Sequence, residues 1–103
     1  MEIKVSGKHL EVTDPIRDHA IERANRLPKF YDRIQEIDII IDKADNHQHE
    51  EVEVIVKVDK ADPIINKKSG PDLYVLLDEV FGKIERQVRN HKEKLRNRKH
   101  LVN

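Results

Sequence analysis

From Lys83 to Asn103 the chain carries eight lysines and arginines: Lys83, Arg86, Arg89, Lys92, Lys94, Arg96, Arg98 and Lys99. Only two acids, Glu85 and Glu93, stand among them, so this segment is net +6. The 103 residues hold twenty bases and twenty acids, which leaves residues 1–82 at net −6. A neutral total therefore conceals a dipolar molecule. Cations at this density could bind a polyanion, because each one that neutralises a phosphate releases condensed counterions. Two acids cannot neutralise eight bases through partners one helical turn away. Charge alone fits a solvated helix surface equally well. A second basic group, Arg23, Arg26 and Lys29, comes earlier in the chain.

Other chemistries find little support. With no cysteine, thiolate catalysis, disulfides and Cys-based zinc sites are excluded. His47 and His49, with Asp45, Glu50 and Glu51, sit in a polar loop at a spacing that offers no clear third ligand, so no metal site is expected. No Ser, His and Asp grouping has a recognisable spacing, and no glycine-rich phosphate loop is present. The chain reads as a non-enzyme without cofactors. Two Phe, two Tyr and no Trp offer too few platforms for aromatic base stacking as the principal binding mode. The longest apolar runs fall far short of the roughly 20 residues that a membrane span needs. No signal peptide is apparent, and a cytoplasmic location is expected.

The elements that must position the basic groups follow from periodicity. Ile3 and Val5 alternate with polar residues over Glu2–Ser6 and stop at Gly7, a short half-buried strand. Thr13 supplies an N-cap, with Pro15 in the first turn of a helix whose Ile16, Ala20, Ala24 and Leu27 share one face with Ile21 beside them. Pro28 ends or kinks this helix, since it lacks an amide hydrogen. Over Ile34–Lys43, Ile37, Ile39 and Ile41 face inward and Glu36, Asp38 and Asp42 outward, with Ile40 the exception. Asp45-Asn46 marks a turn, after which Glu51–Val58 returns with Val52, Val54, Val56 and Val58 inward. Ile64–Lys68 forms an edge strand whose lysines discourage aggregation. Ser69 and Asp72 have the spacing of a capping box that opens a long helix.

The order strand, helix, three strands, helix makes an α+β fold, β-α-β-β-β-α. The helical crossover pairs the first two strands in parallel, while short links make the remaining pairs antiparallel, giving a four-stranded mixed sheet. Each strand has one apolar face, so both helices pack there and the other face, expected to be acidic, meets water. Residues 1–96 form a single domain and 97–103 a flexible basic tail. On a helical wheel Leu73, Leu77, Val80, Ile84, Val88 and Leu95 make the buried stripe of the long helix. Lys83, Arg86, Gln87, Asn90 and Lys94 fall on one flank, whereas Arg89, Lys92 and Arg96 fall on the other. If the helices lie side by side, Arg23, Arg26 and Lys29 would join the first of these flanks in one cationic surface. Gly82, nearly opposite the stripe, costs about 1 kcal/mol of helix propensity relative to Ala.

Particular strings then resemble a known family. They are Phe30-Tyr31-Asp32-Arg33-Ile34, Asp72-Leu73-Tyr74 with Asp78, and Lys83-Ile84-Glu85-Arg86-Gln87 followed by His91-Lys92. Together with Thr13 and Ile16-Arg17-Asp18-His19, they are similar to the ribosome hibernation-promoting factors, also called ribosome-associated inhibitors or sigma modulation proteins. The resemblance spans essentially the whole chain and matches the short form of that family. It implies a double-stranded-RNA-binding-domain-like fold and a monomer that binds the small ribosomal subunit between head and body. There it would block translation sterically during stress or stationary phase. Carried over by position, the implied RNA-facing residues are Arg23, Arg26, Lys29, Lys83, Arg86, Gln87 and Lys94, with Arg89 and Asn90 in the same stretch. Pro28 and Gly82 depart from the usual polar residues. Two other readings remain: a protein-interaction module that uses the acidic sheet face around Ile40 and Ile55, and a generic double-stranded-RNA binder.

Overall fold

Strict alternation of isoleucines or valines with charged residues in two long segments makes each a strand with one apolar face. That face must be covered, and the two amphipathic helices cover it. In the computed structural model, which describes residues 1–45 and 48–101, and for 96–101 the backbone alone, the chain runs β1 (Glu2–Lys8), α1 (Asp14–Ala24), a 3-10 turn (Leu27–Lys29), β2 (Ile34–Lys43), β3 (Glu50–Val58), β4 (Ile64–Gly70) and α2 (Leu73–Leu101). The sheet order is β1-β2-β3-β4. β1 runs parallel to β2, and the other two pairs are antiparallel, as the connection lengths required.

Ile37, Ile39 and Ile41 of β2 and Val52, Val54 and Val56 of β3 are fully enclosed beneath the helices. A bulge sets the phase at the start of β2: Ile34 pairs with Val58, but Glu36 pairs with Lys57. The extra residue turns Ile34 into the core, although it lies three positions from Ile37. α1 is capped as expected, with Thr13 Oγ1 accepting from the Ile16 amide at 3.4 Å, and it buries Ile16, Ala20 and Ala24. Leu27 is buried from the turn that follows.

Several boundaries differ from the sequence reading. β1 does not stop at Gly7 but continues to Lys8, pairing Gly7 with Ile41 and Lys8 with Asp42. Glycine is needed there, because a Cβ at Gly7 would stand 2.6 Å from the carbonyl oxygen of Leu10. The chain doubles back beside it through His9, at φ 61°. α1 ends at Ala24, ahead of Pro28, which opens the 3-10 turn instead of kinking a longer helix. β4 extends to Gly70, and Ser69 pairs with Glu51 rather than capping a helix. Asp72 is the cap of α2: its Oδ1 accepts from the amides of Tyr74 at 3.0 Å and Val75 at 3.3 Å.

The buried stripe of α2 is wider than the wheel gave. Leu76 and Phe81 join Leu77, Val80, Ile84 and Val88 in the core, and Phe81 is the largest fully enclosed side chain. Leu76 stands at the β4 edge, beside Gly70, and a wheel drawn for one flat neighbour leaves it at its rim. Leu73 and Leu95 pack only partly at either end. The turn expected at Asp45-Asn46 falls partly outside the described residues, as does His47. The expected tail, 97–103, runs as the end of α2 as far as Leu101, and 102–103 lie outside.

Candidate nucleic-acid interface

The two flanks of α2 have different neighbours. Toward α1, the His19 Nε2 and Asp78 Oδ1 atoms lie 2.8 Å apart, and the His19 and Tyr74 rings meet edge-on at 5.3 Å. Arg23 lies between the helices, donating through Nη2 to the Asp78 carbonyl oxygen at 3.4 Å and reaching Glu85 at 3.3 Å. Its side chain is only 14% exposed. Arg89 stands on the same flank, its guanidinium 4.3 Å from the centre of the Phe30 ring. Toward β4, Lys68 pairs with Glu79. Farther along, Gln87, Asn90 and Lys94 face Pro63, Ile64 and Ile65 across a surface cleft of about 480 Å³.

Lys83, Gln87, Asn90 and Lys94 are spaced at i, i+4, i+7 and i+11, so they share the flank that overhangs β4. Arg86 points outward beside them, its Nε 3.5 Å from the Gly82 carbonyl oxygen. The expectation that this flank adjoins the first helix is therefore reversed. Asp78 and Glu85 adjoin α1 and Arg89 adjoins Phe30, just after the 3-10 turn, whereas Lys83, Arg86, Gln87, Asn90 and Lys94 lie on the other side. A wheel fixes the angles between residues of one helix, but not which flank a neighbour takes. Of the α1 group, Arg26 is paired with Glu22 at 3.1 Å and Lys29 is exposed on the 3-10 turn.

Lys83, Arg86, Gln87, Asn90 and Lys94 are all exposed. Among the described residues, none of their charges meets a carboxylate. The lysines of the open sheet face differ. Lys4 approaches Glu2 at 3.9 Å and Glu36 at 3.5 Å, Lys57 approaches Glu36 at 2.8 Å and Asp38 at 3.5 Å, and Lys67 approaches Glu51 at 3.3 Å. The hydrogen bond from Lys57 is the main cause that lowers the Glu36 carboxyl from the ordinary 4.5 to about 2, with Asp38 and Lys4 contributing. The same contact raises Lys57, and Glu51 raises Lys67. The face expected to be acidic interleaves its acids with lysines, because register sets Lys4 across from Asp38, Lys57 across from Glu36 and Lys67 across from Glu53. Ile40, Ile55 and the exposed Ile65 interrupt it.

No group of three or more His, Asp or Glu side chains among the described residues is arranged to hold a metal ion. Among the described residues no helix is long and apolar enough to cross a membrane. Sequence reasoning missed two things at this site. They are the role of Arg23 as a link between helices, and the Pro63–Ile65 wall beside Gln87 and Asn90. Neither leaves a periodic signal, since both arise between elements distant in sequence.

Residues 3–96 match the family model described as sigma 54 modulation protein / S30EA ribosomal protein. The chain is 32% identical over 94 residues to the ribosome hibernation promoting factor of Pseudomonas putida, covering 91% of this chain and 89% of that one. It is 33% identical to the factor of the same name from Azotobacter vinelandii, covering 91% and 85%. Among solved structures, the N-terminal domain of Thermus thermophilus Protein Y superimposes with a TM-score of 0.77 at 26% identity. That match covers 88% of this chain and 99% of that domain.

Proposed function

Since the chain belongs to the sigma 54 modulation protein / S30EA ribosomal protein family, we propose that it is a ribosome hibernation factor, with the small ribosomal subunit as its partner. Relatives that carry that name support the ribosome-associated role. The family is one of ribosome hibernation factors, which are not enzymes, and the protein acts by occupancy. It lies in the channel between head and body, where tRNA and mRNA would run, and so prevents translation sterically. Stress and stationary phase are the conditions in which a cell benefits from idle ribosomes, and the cytoplasm is where such a factor works.

One observation carries the RNA-binding reading. The exposed cations of α2, Lys83, Arg86 and Lys94, have no acidic partner among the described residues, whereas Lys4, Lys57, Lys67 and Lys68 each have one. A cation already held by a carboxylate gains little from a phosphate, and an unpaired one gains the full contact. Gln87 and Asn90 stand among these cations and can add hydrogen bonds to the RNA. Arg26, Lys29 and Arg89 offer further positive charge on the other side of α2. A rigid helix that presents such a row reads a folded RNA mainly by shape, with its phosphate contacts fixing register.

Charge reversal at Lys83→Glu together with Arg86→Glu tests this reading. Both positions are exposed, so the fold is retained, and co-sedimentation with small subunits is expected to fall by at least about tenfold. Undiminished co-sedimentation of the folded double variant would sink the RNA-binding assignment of α2.

A further inference from the structure

Beside the cationic row lies the cleft between α2 and the start of β4, and its lining differs from that of a phosphate track. One wall is apolar, made chiefly of Pro63 and the half-buried Ile64, with Ile65 at its edge. The opposite wall offers the amides of Gln87 and Asn90, with Lys94 at the same flank. His91 also lines it, with its ring edge-on to Tyr31 at 5.2 Å. The His91 Nε2 is enclosed without a hydrogen-bond partner. Buried polar atoms left unpaired in this way are uncommon. The cleft has a volume of about 480 Å³ and opens broadly to solvent.

Resting on the ribosomal-RNA reading above, we infer that this cleft receives one unpaired nucleotide of that RNA, with its base between the Pro63–Ile65 wall and the Gln87 and Asn90 amides and its phosphate on Lys94. A side-chain amide offers both a donor and an acceptor, which matches the mixed edge of a nucleobase rather than a phosphate, which only accepts. An unstacked base is flat, apolar on its faces and polar on its edge, and the two unlike walls present those two surfaces. A duplex cannot enter the concavity, because its bases are stacked inside and its exterior is ribose and phosphate. Lys94 stands at the end of the unpaired basic row, so a strand that follows Lys83 and Arg86 reaches the cleft without crossing an acidic residue of that flank.

The test is an NMR titration of the whole chain with each of the four ribonucleoside 5′-monophosphates, and with ribose 5-phosphate as the probe without a base. Saturable shifts are expected at the amides of Ile64, Ile65, Gln87 and Asn90. At least one nucleotide should bind about tenfold tighter than ribose 5-phosphate, the gain that one base contact supplies. Gln87→Ala with Asn90→Ala should remove that difference, and Lys94→Gln should weaken every probe alike. Equal binding of nucleotides and ribose 5-phosphate, or no shift at these amides, overturns the inference. The alanine pair is exposed, and an otherwise unchanged spectrum verifies its fold. Co-sedimentation separates the two levels. If Lys83→Glu with Arg86→Glu abolishes small-subunit binding while the alanine pair binds as the parent does, the cleft fails alone. If the charge reversal leaves binding intact, the ribosomal reading fails and the titration still decides the cleft.

Discussion

Arg23 shows how position changes what a charge can do. Its residue type and its place in α1 made it a phosphate ligand by resemblance, yet its side chain is largely buried and spans Asp78 and Glu85 of α2. Removing it strands Glu85, whose side chain is only 20% exposed. Arg23→Ala is expected to lower stability by about 1–3 kcal/mol in urea denaturation, whereas Arg26→Ala, at an exposed i,i+4 pair, should change stability by less than about 0.5 kcal/mol. Glu36 gives the corresponding statement for pH. Its folded pKa, about 2, lies below the ordinary 4.5. Its contribution is therefore fully present above 4.5 and is lost as pH falls through about 2. In Glu36→Gln the stability curve should be flatter over that acid window, measured by denaturation at a series of pH values. A parent-like slope would show that the Lys57 contact does not persist in solution.

At the scale of the element, α2 combines strong anchoring with one weak point. Asp72 caps its first turn, six apolar side chains bury its inner face, and Gly82 interrupts its helix propensity on the outside. Nothing lies within 4 Å of a Cβ added at Gly82. Gly82→Ala is thus expected to raise stability by about 0.5–1 kcal/mol, read from the urea midpoint, because it restricts the unfolded chain without a clash. Gly7 is the opposite case. There an added Cβ would meet the Leu10 carbonyl oxygen, so the tight return after β1 depends on the residue it has. The two glycines look alike in sequence, and only their surroundings separate them.

For the molecule as a whole, the decisive property is where charge remains unpaired. The sheet holds Lys4, Lys57, Lys67 and Lys68 in ion pairs, while among the described residues Lys83, Arg86 and Lys94 of α2 meet no carboxylate, and α2, at 29 residues, is about 43 Å long. Binding to the small subunit should therefore fall steeply with salt. Lys83→Gln with Arg86→Gln should make the slope of log K against log salt shallower by about 1–2, since each lost phosphate contact removes nearly one released counterion. Affinity that ignores salt would contradict the mechanism. The sequence by itself determined the strands, the order of the elements, the mixed sheet and the basic character of α2. Those follow from period-two and period-3.6 apolar patterns and from chain connectivity, which are local. The tertiary structure alone decided that Leu76 and Phe81 complete the core, that Ser69 pairs rather than caps, and that Glu36 and Asp38 are neutralised across the sheet. It also decided that the Lys83–Lys94 flank turns toward β4 while Arg89 turns toward Phe30. Each of these depends on which residue of a distant element arrives opposite, and periodicity along one element carries no information about that.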